Sequence, residues 1–398
     1  MPFRTLHDLD LRDRRVFLRA DLNVPIKEGT IKDATRIRET LPTLRHLLEK
    51  GASVVLASHL GRPGGTGFEA DFSLGPVAEW VRAQGFHARL AGGIVGEGVE
   101  AEARALAPGQ VLVLENLRFD KGETKNRPEF AEALARLADT YVNDAFGAAH
   151  RAHASVSGMV AHFPPERTAA GFLMEKELKA LARVLAHPEP PLVAVFGGAK
   201  VSDKMDLIRH FLGRAEAILI GGAMSFTLLK ARGVAIGRSL CEEDKVALAG
   251  EILTEAEGRG TRILLPLDHV VADRLDADAE CAITQDQDIP EDRMGLDIGP
   301  ETVAAFSQEV RSARTLVWNG PMGVFEMDSF SAGTLSIAEE MAAAANRGAF
   351  VLVGGGDSVA AANKAGIADK LSHVSTGGGA SLEFLSGLEL PGVAALER

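Results

Sequence analysis

Apolar residues in this chain fall into short runs that recur along its whole length. Continuous apolar runs that end in glycine or in a polar loop are typical of strands buried on both faces, and the amphipathic segments between them predict helices. The runs lie within RRVFLRADLN, ASVVLASHLGRP, GQVLVLENLRF, PLVAVFGGAK, AEAILIGGAM, RTLVWNGPMG and AFVLVGGGDS. The pattern predicts an α/β fold whose parallel sheets carry helices on both faces.

A helical segment near the middle divides this pattern. The sequence EKELKALARVLAHPEPP, from Glu175 to Pro191, reads as an amphipathic helix stopped by prolines, and a new strand pattern starts at Leu192. At 398 residues the chain also exceeds the size at which a single core usually stops growing. We therefore expect two domains joined by a connecting helix and a hinge.

The charge and cysteine content narrow the choice of partners. A formal net charge of -12 argues against nucleic acid or an anionic membrane as the main partner, because both attract basic surfaces. The two cysteines, Cys241 and Cys281, have no metal-binding spacing. No apolar leader or membrane-spanning run occurs in the sequence. We expect a cytoplasmic protein.

Polar and basic residues follow the predicted strands in the first half of the chain. They are Asp21, Asn23, His59, Arg62, Arg118, His150, Arg151 and His153. Arg36 begins a helical pattern, where a positive charge is unfavourable for the helix dipole. Since ligands of parallel sheets bind beyond the carboxyl ends of the strands, these residues predict a pocket for a compact anion.

Glycine clusters follow the strands in the second half. Lys200 and Lys204 come after Gly197-Gly198, and we expect them on one face of a beginning helix, where they would hold an anion. In GGGDS, the amides from Gly355 to Ser358, including Gly356, can receive phosphate oxygens. Asp357 would repel phosphate unless a cation intervenes, which predicts Mg²⁺. Asn319 and Glu326, in WNGPMGVFE, flank a turn and are further candidate ligand contacts.

Two other kinds of function remain open at this point. The stretch GEGVEA, from Gly96 to Ala101, weakly matches a dinucleotide-binding fingerprint, with Glu115 about twenty residues on. It would suit a nicotinamide-dependent oxidoreductase, although a solvated loop before a helix explains it better. A nucleotide-sensing module without turnover is the non-enzymatic alternative. The P-loop pattern is missing from the sequence, so any nucleotide is held in another way.

Taken in order, the motifs resemble those of the phosphoglycerate kinase family over essentially the whole chain. The matching segments are RADLNVP, TRIRETLPTL, ASHLGRP, LENLRF, KGET, YVNDAFGAAHRAHAS, GFLMEKEL, FGGAKVSDK, LLPLDHVVAD, GLDIGP, VWNGPMGVFE, GGGDS and SHVSTGGGASLEFL. The resemblance implies two Rossmann-like domains separated by a cleft that closes. It also implies reversible transfer of the acyl phosphate of 1,3-bisphosphoglycerate to ADP, giving 3-phosphoglycerate and ATP.

The resemblance also implies how the chain is divided. Residues 1–170, joined by a return segment 378–398, would bind phosphoglycerate. Residues 171–190 would be the connecting helix and hinge, and residues 191–377 would bind Mg-nucleotide. A monomer is expected, with no nucleic acid or membrane as partner.

Residue roles follow from the same resemblance. It implies that Asp21 and Asn23 meet the hydroxyl and carboxyl end of the substrate, that Arg36 is the catalytic arginine, and that four residues cradle the phosphate that is not transferred: His59, Arg62, Arg118 and Arg151. Nucleotide contacts are implied for Lys200, Lys204, Gly222, Asn319, Glu326, Gly355, Gly356, Asp357 and Ser358. Gly378 and Gly379 would bring helix-start amides to the transferred group. Ala223 departs from the family's usual glycine beside the implied base pocket.

Overall fold

The computed structural model of the protein describes residues 3–397. The chain forms two compact units. The first contains the residues up to Lys179 and those from Glu389 onwards, and the second is Ala180–Leu388. The predicted connecting segment, residues 171–190, contains the helix Phe172–Ala186, inside which the chain passes from the first unit to the second. The chain returns after Leu388, so residues 378–388 of the predicted return segment lie in the second unit.

A six-stranded parallel sheet forms the centre of the first unit, in the order β5-β6-β4-β1-β7-β8. Its central strands β1 and β4 are buried almost throughout, because their middle residues are apolar on both faces. A short antiparallel hairpin, β2-β3, accompanies it. The strands are β1 (Arg15–Arg19), β2 (Ile26–Lys27), β3 (Thr30–Ile31), β4 (Ser53–Ala57), β5 (His87–Leu90), β6 (Gln110–Val113), β7 (Thr140–Asn143) and β8 (Thr168–Ala170).

Amphipathic helices cover this sheet. In the first of them, Ile37, Leu44 and Leu47 recur at helical spacing and pack into the same core cluster as Val54 and Leu56 of the sheet. The helices are α1 (Thr35–Glu49), α2 (Gly75–Ala83), α3 (Glu97–Arg104), α4 (Lys121–Thr124), α5 (Pro128–Ala135) and α6 (Phe172–Ala186). The boundary between the two units lies within α6.

The second unit has its own six-stranded parallel sheet, in the order β11-β10-β9-β15-β16-β17. A three-stranded antiparallel sheet, β13-β12-β14, is separate from it. The strands are β9 (Leu192–Phe196), β10 (Ala217–Ile220), β11 (Arg262–Leu264), β12 (His269–Ala272), β13 (Ala282–Ile283), β14 (Met294–Ile298), β15 (Thr315–Asn319), β16 (Phe350–Val353) and β17 (His373–Val374).

Helices also pack on the second sheet, around a core that contains Trp318, Phe306 and Met341. A short helix after Leu388 belongs to the first unit. The helices are α7 (Met205–Phe211), α8 (Met224–Ala231), α9 (Val246–Gly258), α10 (Pro300–Ser312), α11 (Ala332–Asn346), α12 (Gly356–Lys364), α13 (Gly379–Leu385) and α14 (Pro391–Ala394).

The predicted α/β fold with two parallel sheets is confirmed. Each of the seven apolar runs contains a strand of one of the two parallel sheets. The segment HARLAGGIV, which the sequence analysis did not count as a strand, contains the edge strand β5. The antiparallel sheet β13-β12-β14 was not predicted either, because its two-residue strand β13 is exposed and has no apolar run.

Candidate functional site

Four adjacent strands of the first sheet end at the predicted anion-binding residues. Strands β6, β4, β1 and β7 are consecutive neighbours and run parallel, so their carboxyl ends lie on the same edge. The residues that follow them are Arg118 after β6, His59 and Arg62 after β4, Asp21 and Asn23 after β1, and Arg151 after β7. The topology therefore brings all six to one edge of the sheet.

Direct contacts connect several of these residues. Arg36, in the first turn of α1, donates from Nη1 to Asp21 Oδ2 at 2.7 Å. The side chain of Asn23 accepts the N–H of Gly61 at 2.9 Å, and Arg118 Nη1 donates to the carbonyl of Gly61 at 2.7 Å. Asn23 and Arg118 thus both hold the loop after β4 at Gly61. Arg36 is connected to these residues through Asp21.

The electrostatics of this group favour an anionic ligand. Burial lowers the pKa of His59 to about 3, so its imidazole is neutral at physiological pH. Burial opposes ionisation of Asp21, yet the positive charges of Arg36 and Arg19 help hold its pKa below the usual value. Arg118 Nε is buried without a hydrogen-bond partner among the described residues. A buried, unpaired N–H is costly, and an anion would satisfy it.

Arg19 is a charged neighbour of this group that the sequence analysis missed. It is fully buried. Its Nε donates to Ser155 Oγ at 2.8 Å, and its Nη2 lies 3.2 Å from His59 Nδ1. The buried carboxylate of Glu123 lies 4.0 Å away and accepts the Ser155 N–H at 2.9 Å. The signal was present in the sequence, since an arginine interrupts the apolar run RRVFLRADLN.

Five adjacent strands of the second sheet end at the predicted nucleotide-binding residues. Strands β10, β9, β15, β16 and β17 are consecutive and parallel. The residues at or beyond their carboxyl ends are Gly222 after β10, Lys200 and Lys204 after β9, Asn319 and Glu326 at and after β15, Gly355, Gly356, Asp357 and Ser358 after β16, and Gly378 and Gly379 after β17. The second group therefore also occupies a single sheet edge.

Asn319 organises the centre of the second group. Its Nδ2 donates to the carbonyl of Gly354 at 2.7 Å, and its Oδ1 accepts a hydrogen bond from Lys204 Nζ. Gly355 has φ +94, and a Cβ there would lie 2.8 Å from Asn319 Nδ2, so only glycine fits. Ser358, in the first turn of α12, is buried and accepts the N–H of Gly320. This hydroxyl thus fixes the loop after β15.

The prediction that Lys200 and Lys204 share a helix face is wrong. The helix α7 begins only at Met205, so Lys200 lies in the preceding loop and Lys204 in the N-cap position. Lys200 is exposed, whereas Lys204 is half-buried. Burial lowers the pKa of Lys204 to about 8, and the negative charges of Asp203 and Asp357 oppose that shift.

A largely apolar cavity of about 550 Å³ lies beside these loops in the second unit. Gly222 and Glu326 line it. Gly222 has φ +67, and a Cβ there would meet the backbone of Gly198 at 2.6 Å. Further lining residues, which the sequence analysis missed, include Phe226, Arg238, Leu240, Pro266, Leu275, Met294 and Leu296. Two of them, Met294 and Leu296, come from β14 of the unpredicted antiparallel sheet, so the strand-end pattern could not find them.

The remaining predicted residues of the second unit begin α13. Gly378 is its N-cap, with φ +48, and Gly379 is its first residue. Ser375 accepts the N–H of Gly377 at 3.1 Å and contacts the hydroxyl of Ser381 within α13. The two glycines therefore follow a short loop that is fixed by a buried serine pair.

Asp297 is a buried carboxyl at the cavity wall that the sequence analysis did not assign. It accepts the N–H groups of Gly333 at 2.7 Å and Ile298 at 2.9 Å. Burial raises its pKa from 3.8 to about 7, and those two hydrogen bonds oppose the shift. Between these pH values the folded state therefore binds more protons than the unfolded state, and the stability contributed by this group falls as pH rises.

We expect the free energy of unfolding of the second unit to show this dependence. From about pH 4 to about pH 7, the free energy of unfolding of wild type relative to that of Asp297→Asn should fall by up to about 4 kcal/mol. Since the chain has two tryptophans, a Trp80→Phe background leaves buried Trp318 to report urea unfolding of this unit. Asp292 is exposed, so Asp292→Asn is the control. If the difference in free energy of unfolding between wild type and Asp297→Asn did not change with pH, a raised pKa of Asp297 would be contradicted.

The dinucleotide alternative finds no support in the geometry. Gly96 is the N-cap of α3. The carboxylate of Glu115 accepts hydrogen bonds from Ser73 Oγ at 2.7 Å and from the N–H of Leu74 at 3.1 Å. Contacts within the protein therefore account for Glu115, which is buried.

Within residues 3–397, no three His, Cys, Asp or Glu side chains are grouped so as to hold a metal ion. Over the same residues, every helix is too short or too polar to cross a bilayer.

Each of the two α/β units thus carries residues suited to anionic ligands at one edge of its sheet, basic side chains in the first unit and glycine loops with lysines in the second. A sequence model of the family described as phosphoglycerate kinase matches residues 6–388. The chain belongs to the phosphoglycerate kinase family. It is a glycolytic, nucleotide-binding transferase whose substrates are 3-phosphoglycerate or 1,3-bisphosphoglycerate and ADP or ATP.

Similar proteins cover the whole length of the chain. A phosphoglycerate kinase of Thermus thermophilus is 54% identical, over 99% of this chain and 100% of that protein. The cytosolic phosphoglycerate kinase of Triticum aestivum is 51% identical, over 99% and 98%. Among solved structures, phosphoglycerate kinase from Coxiella burnetii superposes with a TM-score of 0.92 at 40% identity, covering 99% of both chains.

Proposed function

We propose that the sheet edge of the first unit binds the phosphoglycerate. In this assignment Arg62, Arg118 and Arg151, with His59, hold the phosphate that is not transferred, while Asp21 and Asn23 bind the hydroxyl and carboxyl end. The unpaired Nε of Arg118 and the exposure of Arg62 and Arg151 support it, because these groups offer donors that the protein leaves unused. Arg36 stabilises charge on the transferred group.

The sheet edge of the second unit, we further propose, binds the nucleotide. The cavity beside Gly222 takes the adenine, and Glu326 meets the ribose at its mouth. Lys200, Lys204, Asn319 and the amides from Gly355 to Ser358 hold the phosphates, at the start of a nine-residue helix whose dipole favours anions. Gly378 and Gly379 supply amides to the phosphoryl group in transfer. The single observation that carries both assignments is that each set of residues follows consecutive parallel strands.

Asp357 suits a Mg²⁺ ion that arrives with the nucleotide. Its carboxylate is exposed in the first turn of α12, among groups suited to phosphate. Since the residues described contain no cluster that could cage a metal on its own, one carboxylate plus nucleotide phosphates is the arrangement that Mg²⁺ commonly adopts. When bound, the ion neutralises charge on the phosphate oxygens.

The mechanism requires charge stabilisation and alignment. The attacking group is already an anion, either a carboxylate or an ADP phosphate, so no side chain has to remove a proton. Arg36, Lys200 and the Gly378-Gly379 amides stabilise the negative charge as it spreads over the equatorial oxygens. Because the two substrates are assigned to different units, we propose that the units close during turnover and exclude water from the acyl phosphate.

Steady-state kinetics of two variants test the assignment. Arg118→Met should raise KM for 3-phosphoglycerate roughly ten- to a hundredfold and leave KM for ATP unchanged, since it removes one charged hydrogen-bonding group. Lys200→Met should raise KM for ATP and leave KM for 3-phosphoglycerate unchanged. ADP formation is measured with ATP, 3-phosphoglycerate and Mg²⁺, omitting each in turn. If both variants changed both constants equally, the division of substrates between the units would be wrong.

A further inference from the structure

Glu242 belongs to neither group described above, yet it is bonded to the loop that carries the two lysines. Its Oε2 accepts the N–H of Ser202 at 3.0 Å, and its Oε1 accepts the Ser202 hydroxyl at 2.6 Å. Ser202 lies midway between Lys200 and Lys204. One carboxylate therefore fixes both the backbone and the side chain at the centre of this loop.

Glu242 is in turn anchored to the wall of the cavity. Its N–H donates to Thr227 Oγ1 at 3.2 Å, and Thr227 is buried within α8. That helix starts beside Ala223, a cavity-lining residue, and Leu240, two residues before Glu242, lines the cavity as well. A continuous series of contacts thus joins the cavity wall to the lysine loop.

The charge of Glu242 strengthens this connection. Although burial opposes ionisation, hydrogen bonds from Ser202 and Val201 hold the pKa of Glu242 below its usual value. Hydrogen bonds to an ionised acceptor are stronger than neutral ones. The side chain of Lys200, by contrast, is exposed, so the backbone of the loop determines where its ammonium group can reach.

We propose that Glu242 is a positioning residue for phosphoryl transfer. Through Ser202 it holds the loop in the conformation in which Lys200 and Lys204 reach the nucleotide phosphates. The inference rests on the proposed role of these two lysines. It assigns Glu242 no contact with the substrate, the nucleotide or the metal ion.

The matched pair Glu242→Gln and Glu243→Gln tests the proposal. Both changes remove one negative charge, but Glu243 is exposed and bonds to Lys230, away from the loop. We expect Glu242→Gln to raise KM for ATP and ADP about tenfold, as the loss of a charged hydrogen bond would. KM for 3-phosphoglycerate should stay unchanged, and so should the Kd of adenosine, which needs only the cavity. Glu243→Gln should resemble wild type.

A second variant keeps the test independent of any folding defect. Ser202→Ala removes the hydroxyl at the other end of the same contact, and its effect should be non-additive with that of Glu242→Gln. The proposal would be overturned if Glu242→Gln weakened adenosine and ATP binding equally, or if its KM values for ATP and ADP matched those of Glu243→Gln. It would also be overturned if the effects of Glu242→Gln and Ser202→Ala were additive. In that case, Lys200→Met distinguishes the two proposals. If it also left KM for ATP unchanged, the proposed role of the lysines would be wrong as well. If it raised KM for ATP, only the inference about Glu242 would be wrong.

Discussion

Replacing Arg36 with alanine is expected to lower kcat about a thousandfold or more, while binding of 3-phosphoglycerate weakens far less. Arginines that stabilise a transferred phosphoryl group contribute rate factors of this size, because their charge matters most when negative charge spreads over the equatorial oxygens. The side chain is 36% exposed and oriented by its 2.7 Å bond to Asp21, so it can reach outward from a fixed base. Steady-state kcat and the Kd of 3-phosphoglycerate give the comparison.

Arg38 supplies the control for this prediction. It lies on the same helix, two residues further on, and is exposed, whereas the hydrogen bond to Asp21 comes from Arg36. Arg38→Ala should therefore keep kcat within about twofold of wild type, as surface changes usually do. Arg36→Lys should recover part of the lost rate, since it restores charge without the fork. Equal losses of kcat and of phosphoglycerate affinity in Arg36→Ala would make Arg36 an ordinary binding residue.

The parallel sheets could be predicted from the sequence because their strands are buried on both faces. A run such as LVAVF is apolar at every position, and the strand β9 occupies it with five buried residues. The edge strand β5 and the antiparallel strand β13 lack that signature. In β5 the residues His87 and Arg89 are exposed, and β13 has only two residues, both exposed. For such strands, tertiary pairing outweighs the local pattern.

The same distinction explains which site residues could be found. Residues such as Arg118, Asn319 and Asp357 lie at the carboxyl ends of buried strands, where topology alone places ligands. The cavity wall also includes Phe226 of α8 and Met294 of the antiparallel sheet, which no strand-end rule brings together. Arg19 is the last residue of β1, and its side chain contacts buried polar groups, so its role depends on partners distant in sequence.

Contacts of the same kind hold loops at the sheet edges of both units. A polar side chain at or just beyond a strand end binds the backbone of a neighbouring loop, and that loop carries groups assigned to the ligand. Asn23 does this for Gly61 in the first unit, and Asn319 does it for Gly354 in the second. Such support reduces the entropy that ligand binding would otherwise cost.

Asp357→Asn is expected to raise the KM of Mg-ADP about a hundredfold and to shift half-maximal activity to a higher Mg²⁺ concentration. An amide keeps the size of the side chain but loses the negative charge that a hard cation needs. The change should leave the fold intact, because the carboxylate of Asp357 is exposed and Ser358, next to it, provides the buried contact. A Mg²⁺ titration at fixed ADP and 1,3-bisphosphoglycerate measures both effects.

The exposed Asp369, beyond the other end of α12, provides a control with the same chemistry. Asp369→Asn changes the net charge of the unit equally, so any general electrostatic effect on nucleotide binding would appear in both variants. A Mg²⁺ dependence shifted only in Asp357→Asn would locate the metal contact at the start of α12. If Asp357→Asn instead bound Mg-ADP as wild type does, the phosphates would have to be neutralised by the lysines alone, and the metal assignment would be wrong.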